Sequence, residues 1–279
     1  CFFKLKQYDK AIACFSEVLE KDNYFTDAYF YRGVSYINEH KFENAYNDFE
    51  EAINKNYLPG ESNFYMGICN LNDKKYKEAL NNFNSAVAND YTGTDVLKNR
   101  AKILNELGKY EKALDDCDEV IKANNDDIES LILRAHIYAN LRMFDEADQD
   151  ISQVLTLSPD NQESLFLKIK LTFLQQKYNE VIERSTQILN NSYNFEILQL
   201  RAQSYEKLDL LQQACDDYTQ IILNTTDNLD FYVKRISVYI QMKDYQNALE
   251  DIDYVIMNDE NNINAHFYKG IIYRDRGEL

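Results

Sequence analysis

The stretch of sequence that decides the fold runs from residue 26 to residue 59 and reads TDAYFYRGVSYINEHKFENAYNDFEEAINKNYLP. Its first half places an aromatic and small-residue set at helical spacing: Tyr29, Gly33, Tyr36 and His40. Its second half carries another apolar set at the same spacing: Phe42, Ala45, Phe49 and Ala52. The pattern predicts two amphipathic helices joined by a short turn, with Gly33 letting the second helix approach closely.

The same pattern recurs every 34 residues, with one residue dropped late in the chain. The close-approach position of each first helix holds Gly33, Gly67, Ala101, Ala135, Ile169, Ala202, Ile236 and Gly270. The second helices carry a matching row, Ala11, Ala45, Ala79, Ala113, Ala147, Val181, Ala214 and Ala248. A helix-pair period of this length predicts a stacked array in which each unit packs on its neighbours.

On these residues, and with Pro159 at a linker position, the chain resembles the tetratricopeptide-repeat family over its whole length. The resemblance implies an all-α fold, a right-handed superhelical α-solenoid of antiparallel helix pairs whose first helices line a concave groove. The chain departs from the family at the first-helix tryptophan position, which holds Tyr29, Asn63, Leu97, Leu131, Leu165, Leu198, Tyr232 and His266. The repeat at residues 162–194 is degenerate, with Ile169 and Val181 at the small positions and Ser185 at the aromatic one.

We expect one array over residues 1–279. Residues 1–25 form a partial repeat, and residues 263–279 form the first helix of a truncated repeat. The full repeats between them cover residues 26–59, 60–93, 94–127, 128–161, 162–194, 195–228 and 229–262. Solenoids normally end in a capping unit, whereas both ends here fall inside a repeat, so we expect a fragment of a longer array.

The charge balance excludes two classes of partner. A net charge of −17 and a pI near 4.6 argue against nucleic acid and against anionic membrane surfaces, since both require a basic footprint. The charge and the period also argue against the pentatricopeptide repeats, which bind RNA and have a longer period. No apolar run approaches the length of a membrane span.

The cysteines and histidines indicate neither disulfides nor a metal. The five cysteines are scattered, and Cys14, Cys69, Cys117 and Cys215 lie in apolar helical patterns, which predicts small buried thiols in a reducing compartment. The three histidines, His40, His136 and His266, are far apart in the sequence. We therefore expect no metal and no cofactor.

No catalytic constellation is visible, so we do not expect an enzyme. Adjacent carboxylates such as Asp115–Asp116 and Asp216–Asp217 lie on predicted helices without an apolar pocket that would raise a pKa. We interpret them as a solvated acidic face. The sequence also lacks a glycine-rich phosphate loop.

The groove side of the first helices is the candidate partner-binding site. Its predicted residues are Phe30, Tyr31, Val34, Phe64, Tyr65, Ile68, Lys98, Asn99, Lys102, Leu133, Phe166, Gln199 and Lys234. Aromatic residues on the side opposite Gly33 suggest a surface for an apolar peptide or a partner helix. The alternative is that these aromatic residues pack against neighbouring first helices.

An acidic residue opens nearly every first helix: Asp27, Glu61, Asp95, Glu129, Glu163, Glu196 and Asp230. These residues either interact with the helix dipole or form an acidic rim that attracts a basic partner. Many relatives clamp the acidic C-terminal tails of chaperones with lysine, asparagine and arginine. The matching positions here hold Phe30, Val34, Tyr65, Asp95 and Asn99, which makes a chaperone tail an unlikely partner.

A recurring salt bridge is also predicted within the repeats. Five repeats have an arginine before the close-approach residue and an aspartate 16 residues later, the pairs being Arg32–Asp48, Arg100–Asp116, Arg134–Asp150, Arg201–Asp217 and Arg235–Asp251. Two full repeats lack both, with Met66 and Asn82 in one and Lys168 and Arg184 in the other. Joint loss of the two residues indicates that they contact each other.

These observations predict a non-catalytic scaffold that binds a peptide or helix with apolar anchors and basic flanks. One alternative is the interaction arm of a larger enzyme with its catalytic domain outside these residues. Another is a structural strut in a multi-protein assembly, for example a ciliary one. We expect a eukaryotic protein of the cytoplasm, with a ciliary or cytoskeletal site as the alternative location.

Overall fold

The computed structural model describes residues 2–190, 193–226 and 229–277, and over these residues it contains sixteen α-helices and no strand. The first helices of the repeats are α2 (Thr26–Asn38), α4 (Pro59–Asn72), α6 (Thr94–Glu106), α8 (Ile128–Asn140), α10 (Gln162–Leu174), α12 (Phe195–Lys207), α14 (Leu229–Gln241) and α16 (Ile263–Arg276). The second helices are α1 (Tyr8–Lys21), α3 (Phe42–Asn54), α5 (Tyr76–Ala88), α7 (Tyr110–Ala123), α9 (Phe144–Leu157), α11 (Tyr178–Leu189), α13 (Leu211–Asn224) and α15 (Tyr245–Asn258). The all-α fold class of antiparallel helix pairs is thereby confirmed.

The chain forms two compact units, Cys1–Met143 and Phe144–Leu279. Within each unit every helix packs against the next one in the chain, and first helices also contact each other, as α2 contacts α4 and α14 contacts α16. The division of the chain into repeats stays a prediction. The helix α4 begins at Pro59, whose fixed φ and missing N–H suit the first helical position.

Each of the seven described turns from a first helix to a second helix contains one residue in the left-handed region, with φ between 56° and 67°. These residues are His40, Lys74, Gly108, Arg142, Gln176, Asp209 and Lys243. In most of these turns the next residue donates its N–H to a carbonyl five positions back, as Lys41 does to Tyr36 at 2.9 Å. This closure satisfies the last carbonyls of the first helix and reverses the chain within three residues.

The close-approach positions bring the helices of a pair into contact. A Cβ added to Gly33 would lie 2.9 Å from the Phe49 ring, and one added to Gly67 would lie 2.4 Å from the Phe83 ring. Both rings are fully buried, as are the second-helix residues Ala45 and Ala79. The small residues therefore let an aromatic ring of the second helix lie directly against the first-helix backbone.

The predicted arginine–aspartate bridge is confirmed in four repeats. Arg201 donates from Nε and Nη2 to the two carboxylate oxygens of Asp217 at 2.9 and 2.7 Å, a bidentate pair. The same geometry joins Arg32–Asp48, Arg100–Asp116 and Arg235–Asp251. The fifth pair, Arg134–Asp150, stays a prediction because its residues belong to different units.

Burial of these carboxylates corrects one expectation. Asp116 and Asp217 are only 4% and 3% exposed, so they do not belong to a solvated acidic face. Their burial is tolerated because each carboxylate is paired with a guanidinium. The hydrogen bond to Asp48 raises the pKa of Arg32, and the hydrogen bond to Asp116 does the same for Arg100.

The guanidinium groups also reach the second helix of the preceding repeat. The third donor, Nη1, of Arg235 bonds the Thr219 hydroxyl at 2.7 Å, and that of Arg32 bonds the Ser16 hydroxyl at 3.1 Å. Equivalent contacts pair Arg100 with Asn84, Arg201 with Thr186 and Arg134 with Asp118. One arginine therefore joins its own second helix to the previous one, which links successive repeats.

The two repeats without the arginine use other contacts. Met66 is buried, and Asn82 accepts a hydrogen bond from Asn70 at 2.8 Å. In the degenerate repeat Lys168 pairs with Asp148 of the preceding second helix. At the aspartate position this repeat has Arg184, whose exposed side chain pairs with Glu180. The predicted joint loss of both partners is therefore accompanied by local replacements.

Three of the predicted buried thiols are buried, Cys69, Cys117 and Cys215. Burial raises the pKa of Cys69 and Cys215 to about 12. The prediction was wrong for Cys14, which is exposed. Cys14 lies in α1 at the position equivalent to Asp48 in α3. In α3 this position faces the preceding first helix, and no described helix precedes α1.

Gly67 and Gly270 provide a matched pair of substitutions, because they share a register but not an environment. Gly67→Ala should destabilise the chain by about 1–3 kcal/mol, since the new methyl group overlaps the buried Phe83 ring. Gly270→Ala should leave stability unchanged or raise it by up to about 1 kcal/mol, since nothing lies within 4 Å of its Cβ position. Urea unfolding followed by circular dichroism measures both, and equal shifts would contradict the assigned packing.

The arginine–aspartate bridge leads to a second prediction. Asp217→Ala should cost about 3–5 kcal/mol of unfolding free energy, because it leaves the Arg201 guanidinium buried without a carboxylate. Replacing both residues together by apolar side chains should cost less. Glu180→Gln breaks the exposed Arg184 pair and serves as the control, with an expected effect of about 0–1 kcal/mol. Equal losses of unfolding free energy for Asp217→Ala and Glu180→Gln would show that the bridge stabilises the fold no more than an exposed ion pair does.

Candidate partner-binding faces

The predicted site residues of the first unit divide into buried supports and accessible side chains. Phe30 and Phe64 are only 7% and 6% exposed. Phe30 packs on Phe49 and Phe64 packs on Phe83, with ring centroids 5.7 and 5.9 Å apart. Phe30 also contacts Tyr65 of the neighbouring first helix α4, which agrees with the packing alternative, whereas Phe64 is covered by Phe83 of α5 and by Tyr91 of the following linker. Tyr31, Val34, Tyr65 and Ile68 remain partly exposed.

The accessible aromatic side chains form one cluster with the acidic residues in the first turns of α2, α4 and α6. We call it the tyrosine–acid face, and it comprises Tyr31, Tyr57, Tyr65, Tyr91, Asp27, Glu61 and Asp95. Tyr31 rests on Phe30, and Tyr65 stacks on Phe49 with ring centroids 5.1 Å apart. The linker residues Tyr57 and Tyr91 pack on Phe30 and Phe64 respectively.

The electrostatics of this face are uniformly negative. Burial, a hydrogen bond with Tyr31 and the charges of Asp27 and Glu61 raise the pKa of Tyr57 to about 12. Burial and the charges of Asp95 and Glu61 also raise the pKa of Tyr65. The Tyr91 hydroxyl donates to Asp95 at 2.9 Å. Among the described residues, Asp27, Glu61 and Asp95 form no ion pair.

Tyr57 and Tyr91 are not among the site residues predicted from the sequence. They lie 34 residues apart in equivalent linkers between a second helix and the next first helix. That spacing was the available signal. Helical periodicity could not place them, because linker geometry decides which way their rings point.

Farther along the same unit the predicted basic residues are already neutralised. Lys98 donates to Asp127 at 2.5 Å, and Lys102 pairs with Glu129 of α8. The hydrogen bond from Lys102 lowers the pKa of Glu129. Asn99 bonds the Asp95 carbonyl, and Leu133 packs against the hydrophobic core. This part of the face therefore links α6 to α8.

In the second unit the predicted residues are separated. Phe166 packs on the small cluster of Ile169, Val181 and Ile197. Lys234 lines a cavity of about 460 Å³ between first helices, which we call the α12–α14 cavity, whereas Gln199 does not line it. The structure thus brings Lys234 together with residues that the site prediction omitted, including Lys207.

The described residues contain neither of two other classes of site. No described helix is long and apolar enough to cross a membrane. No group of three or more histidine, cysteine or acidic residues within the described ranges is arranged to hold a metal ion.

Comparisons with known proteins support the repeat assignment. Two family models described as tetratricopeptide repeat match residues 71–128 and residues 128–161. No curated protein sequence matches the chain.

Solved structures share the fold at low identity. A tetratricopeptide-repeat protein from Parabacteroides merdae is 20% identical, with a TM-score of 0.65 over 92% of this chain and 97% of that one. YrrB, described as a TPR protein with an unusual peptide-binding site, is 15% identical, with a TM-score of 0.50 over 92% and 97%. The APC/C hetero-tetramer Cut9–Hcn1 is 15% identical, with a TM-score of 0.58 over 95% of this chain and 53% of that one.

The matched repeat models, the sixteen helices of the described residues and the shared fold lead to one assignment. The chain is a tetratricopeptide-repeat protein.

Proposed function

We propose that this protein is a non-catalytic interaction scaffold whose tyrosine–acid face binds a peptide or helix of a partner protein. The tetratricopeptide-repeat fold itself suggests a protein–protein interaction scaffold. YrrB, of similar fold, is described as having an unusual peptide-binding site, which supports a peptide as the occupant.

The observation that carries the proposal is the unpaired negative charge beside accessible aromatic rings. Asp27, Glu61 and Asp95 have no basic partner among the described residues, whereas Asp127 and Glu129 in the same unit do. Tyrosine rings offer their negative faces to a cation and their edges to apolar groups. A segment with lysine or arginine next to an apolar side chain fits this surface.

The acidic residues also open their helices, where the helix dipole favours a carboxylate. The two roles are compatible, because a dipole interaction does not remove the net charge. A basic partner would be attracted over several ångströms at low ionic strength. Tyr31 and Tyr65 would then supply the short-range apolar contacts.

The proposal predicts what a random peptide library selects. Displayed 12-residue peptides that bind the chain should be enriched in arginine or lysine beside aromatic or aliphatic residues. The triple variant Asp27→Asn, Glu61→Gln, Asp95→Asn should weaken a selected peptide about tenfold, as three exposed pairs worth about 0.5 kcal/mol each. The equally charged control Glu17→Gln, Glu50→Gln, Glu111→Gln changes exposed second-helix residues of the same unit and should bind normally. Equal losses in both variants would contradict a localised site.

The aromatic contribution is tested separately. Tyr31→Ala should weaken the selected peptide by about 2 kcal/mol, the usual effect of truncating an aromatic anchor. Tyr46→Ala removes a similarly half-buried tyrosine from the second helix α3 and should leave binding unchanged. Fluorescence anisotropy measures the affinities, and thermal melting reports the stability of each variant. Unchanged binding with a lowered melting temperature for Tyr31→Ala would mean that Tyr31 only supports the core.

A further inference from the structure

In four of the five repeats that carry the arginine, a tyrosine follows it four residues later on the same helix. The guanidinium carbon lies between 5.7 and 5.9 Å from the centre of that ring in the pairs Arg32–Tyr36, Arg134–Tyr138, Arg201–Tyr205 and Arg235–Tyr239. A cation at this distance from an aromatic face is attracted to it. The tyrosine ring is therefore a regular neighbour of the guanidinium in this chain.

The repeat at residues 94–127 keeps the arginine but not the tyrosine. Arg100 forms the bidentate bridge to Asp116, whereas the residue four positions after Arg100 is Leu104. Arg100 and Leu104 both line a cavity of about 360 Å³, which we call the α5–α7 cavity. Its full lining is Leu80, Asn84, Arg100, Leu104, Lys109, Lys112, Asp115 and Asp116.

Two further cavities lie at the equivalent place in other repeats, and both of those repeats also lack the tyrosine. Asn70 lines the cavity between α3 and α5, and Thr172 lines the one between α9 and α11. The residues four positions earlier are Met66 and Lys168, so neither repeat has the arginine. Among these three cavities, the α5–α7 cavity is the one that combines a missing ring with the guanidinium beside which a ring lies elsewhere.

The lining of the α5–α7 cavity suits an aromatic side chain. Leu80 and Leu104 are buried and supply apolar contacts, being 8% and 4% exposed. Arg100 supplies a guanidinium that is already held in place by its bridge to Asp116. The cavity volume leaves room for one side chain of the size of phenylalanine or tyrosine.

The charges around the cavity influence which residue stands next to that ring. Lys109, Lys112 and Asp115 are exposed, and the Asp116 carboxylate is engaged by Arg100. Cationic side chains therefore outnumber acidic ones in the lining. This balance favours an acidic residue beside the ring of a partner.

We propose that the α5–α7 cavity receives an aromatic side chain of a partner protein, which takes the place of the tyrosine that is missing beside Arg100. An acidic neighbour of that side chain lies near Lys109 or Lys112. The contact goes beyond the proposed function, because it uses α5 and α7 instead of the tyrosine–acid face and selects the opposite charge. One ring buries little surface area, so the contact supplements a larger interface.

Three capped tripeptides test the cavity on the full chain. N-acetyl-Glu-Phe-Glu-amide supplies the ring and the charge, N-acetyl-Glu-Ala-Glu-amide lacks the ring, and N-acetyl-Gln-Phe-Gln-amide lacks the charge. Dissociation constants are measured by titrating the isotope-labelled protein and following backbone amide shifts in α5, α6 and α7. The first peptide should bind about tenfold more tightly than the alanine peptide, because a phenyl ring is buried. It should bind about two- to threefold more tightly than the neutral peptide, because exposed ion pairs contribute little.

A substitution that restores the tyrosine locates the site. Leu104→Tyr should weaken the phenylalanine peptide to the level of the alanine peptide, because the introduced ring occupies the cavity. The substitution copies the residue found at this position in four other repeats, so we expect the variant to fold. Thr172→Tyr makes the same change at the equivalent position of the second unit and should leave the affinity unchanged.

Lysine variants test the charge preference. The double variant Lys109→Gln, Lys112→Gln should weaken the acidic phenylalanine peptide about two- to threefold. The control Lys77→Gln, Lys122→Gln removes two exposed lysines outside the cavity and should not change the affinity. Helicity and melting temperature confirm that each variant is folded.

Two results would overturn the proposal at the level of the peptides: equal binding of the phenylalanine and alanine peptides, or an affinity that Leu104→Tyr does not change. Sedimentation of the unliganded chain provides a third result. Self-association that Leu104→Tyr abolishes would assign the cavity to a second copy of this chain and overturn a separate partner. Because the peptides contain no basic residue, failure here is independent of binding at the tyrosine–acid face.

Discussion

The rest of the structure depends on a partly buried guanidinium that makes contacts in two directions. In four repeats an arginine of the first helix grips an aspartate of its own second helix and reaches a polar side chain of the preceding second helix. A buried carboxylate is tolerated when it is paired and hydrogen-bonded, and we infer that this requirement favours one register between the helices. The hydrophobic contacts of the glycine and alanine rows supply the cohesion, while the bridge determines how successive helix pairs align.

This division of labour determines which surface is available for binding. One side of each first helix packs on second helices, through the close-approach residue and, where it is present, the bridging arginine. On the opposite side, second-helix and linker rings bury Phe30 and Phe64, whereas Tyr31 and Tyr65 remain partly exposed. The charges on that side then differ along the chain. Within the described ranges, the carboxylates beside the tyrosines of α2 and α4 form no ion pair, whereas ion pairs join α6 to α8. In the second unit, lysines line the α12–α14 cavity.

The repeat period was sufficient to predict the helix pairs and four of the bridges, because both follow from positions counted along the sequence. The same counting could not distinguish Phe30 from Tyr31, whose neighbouring positions lie on either side of the boundary between core and surface. It could not place Tyr57 or Tyr91, which lie in linkers, or pair Lys98 with Asp127 across repeats. It also treated Cys14 like other second-helix cysteines, although no described helix covers its face. The site was thus predictable as a face of the first helices, but its chemistry depended on contacts between repeats.

The central claim is that the tyrosine–acid face receives a basic segment of a partner. The most direct measurement is a crystal structure of the chain bound to a library-selected peptide. The account predicts an arginine or lysine of the peptide beside Glu61, with its neighbouring apolar side chain on Tyr31 or Tyr65. A peptide bound instead to the outer surface of the second helices, or one whose basic residues avoid Asp27, Glu61 and Asp95, would contradict it.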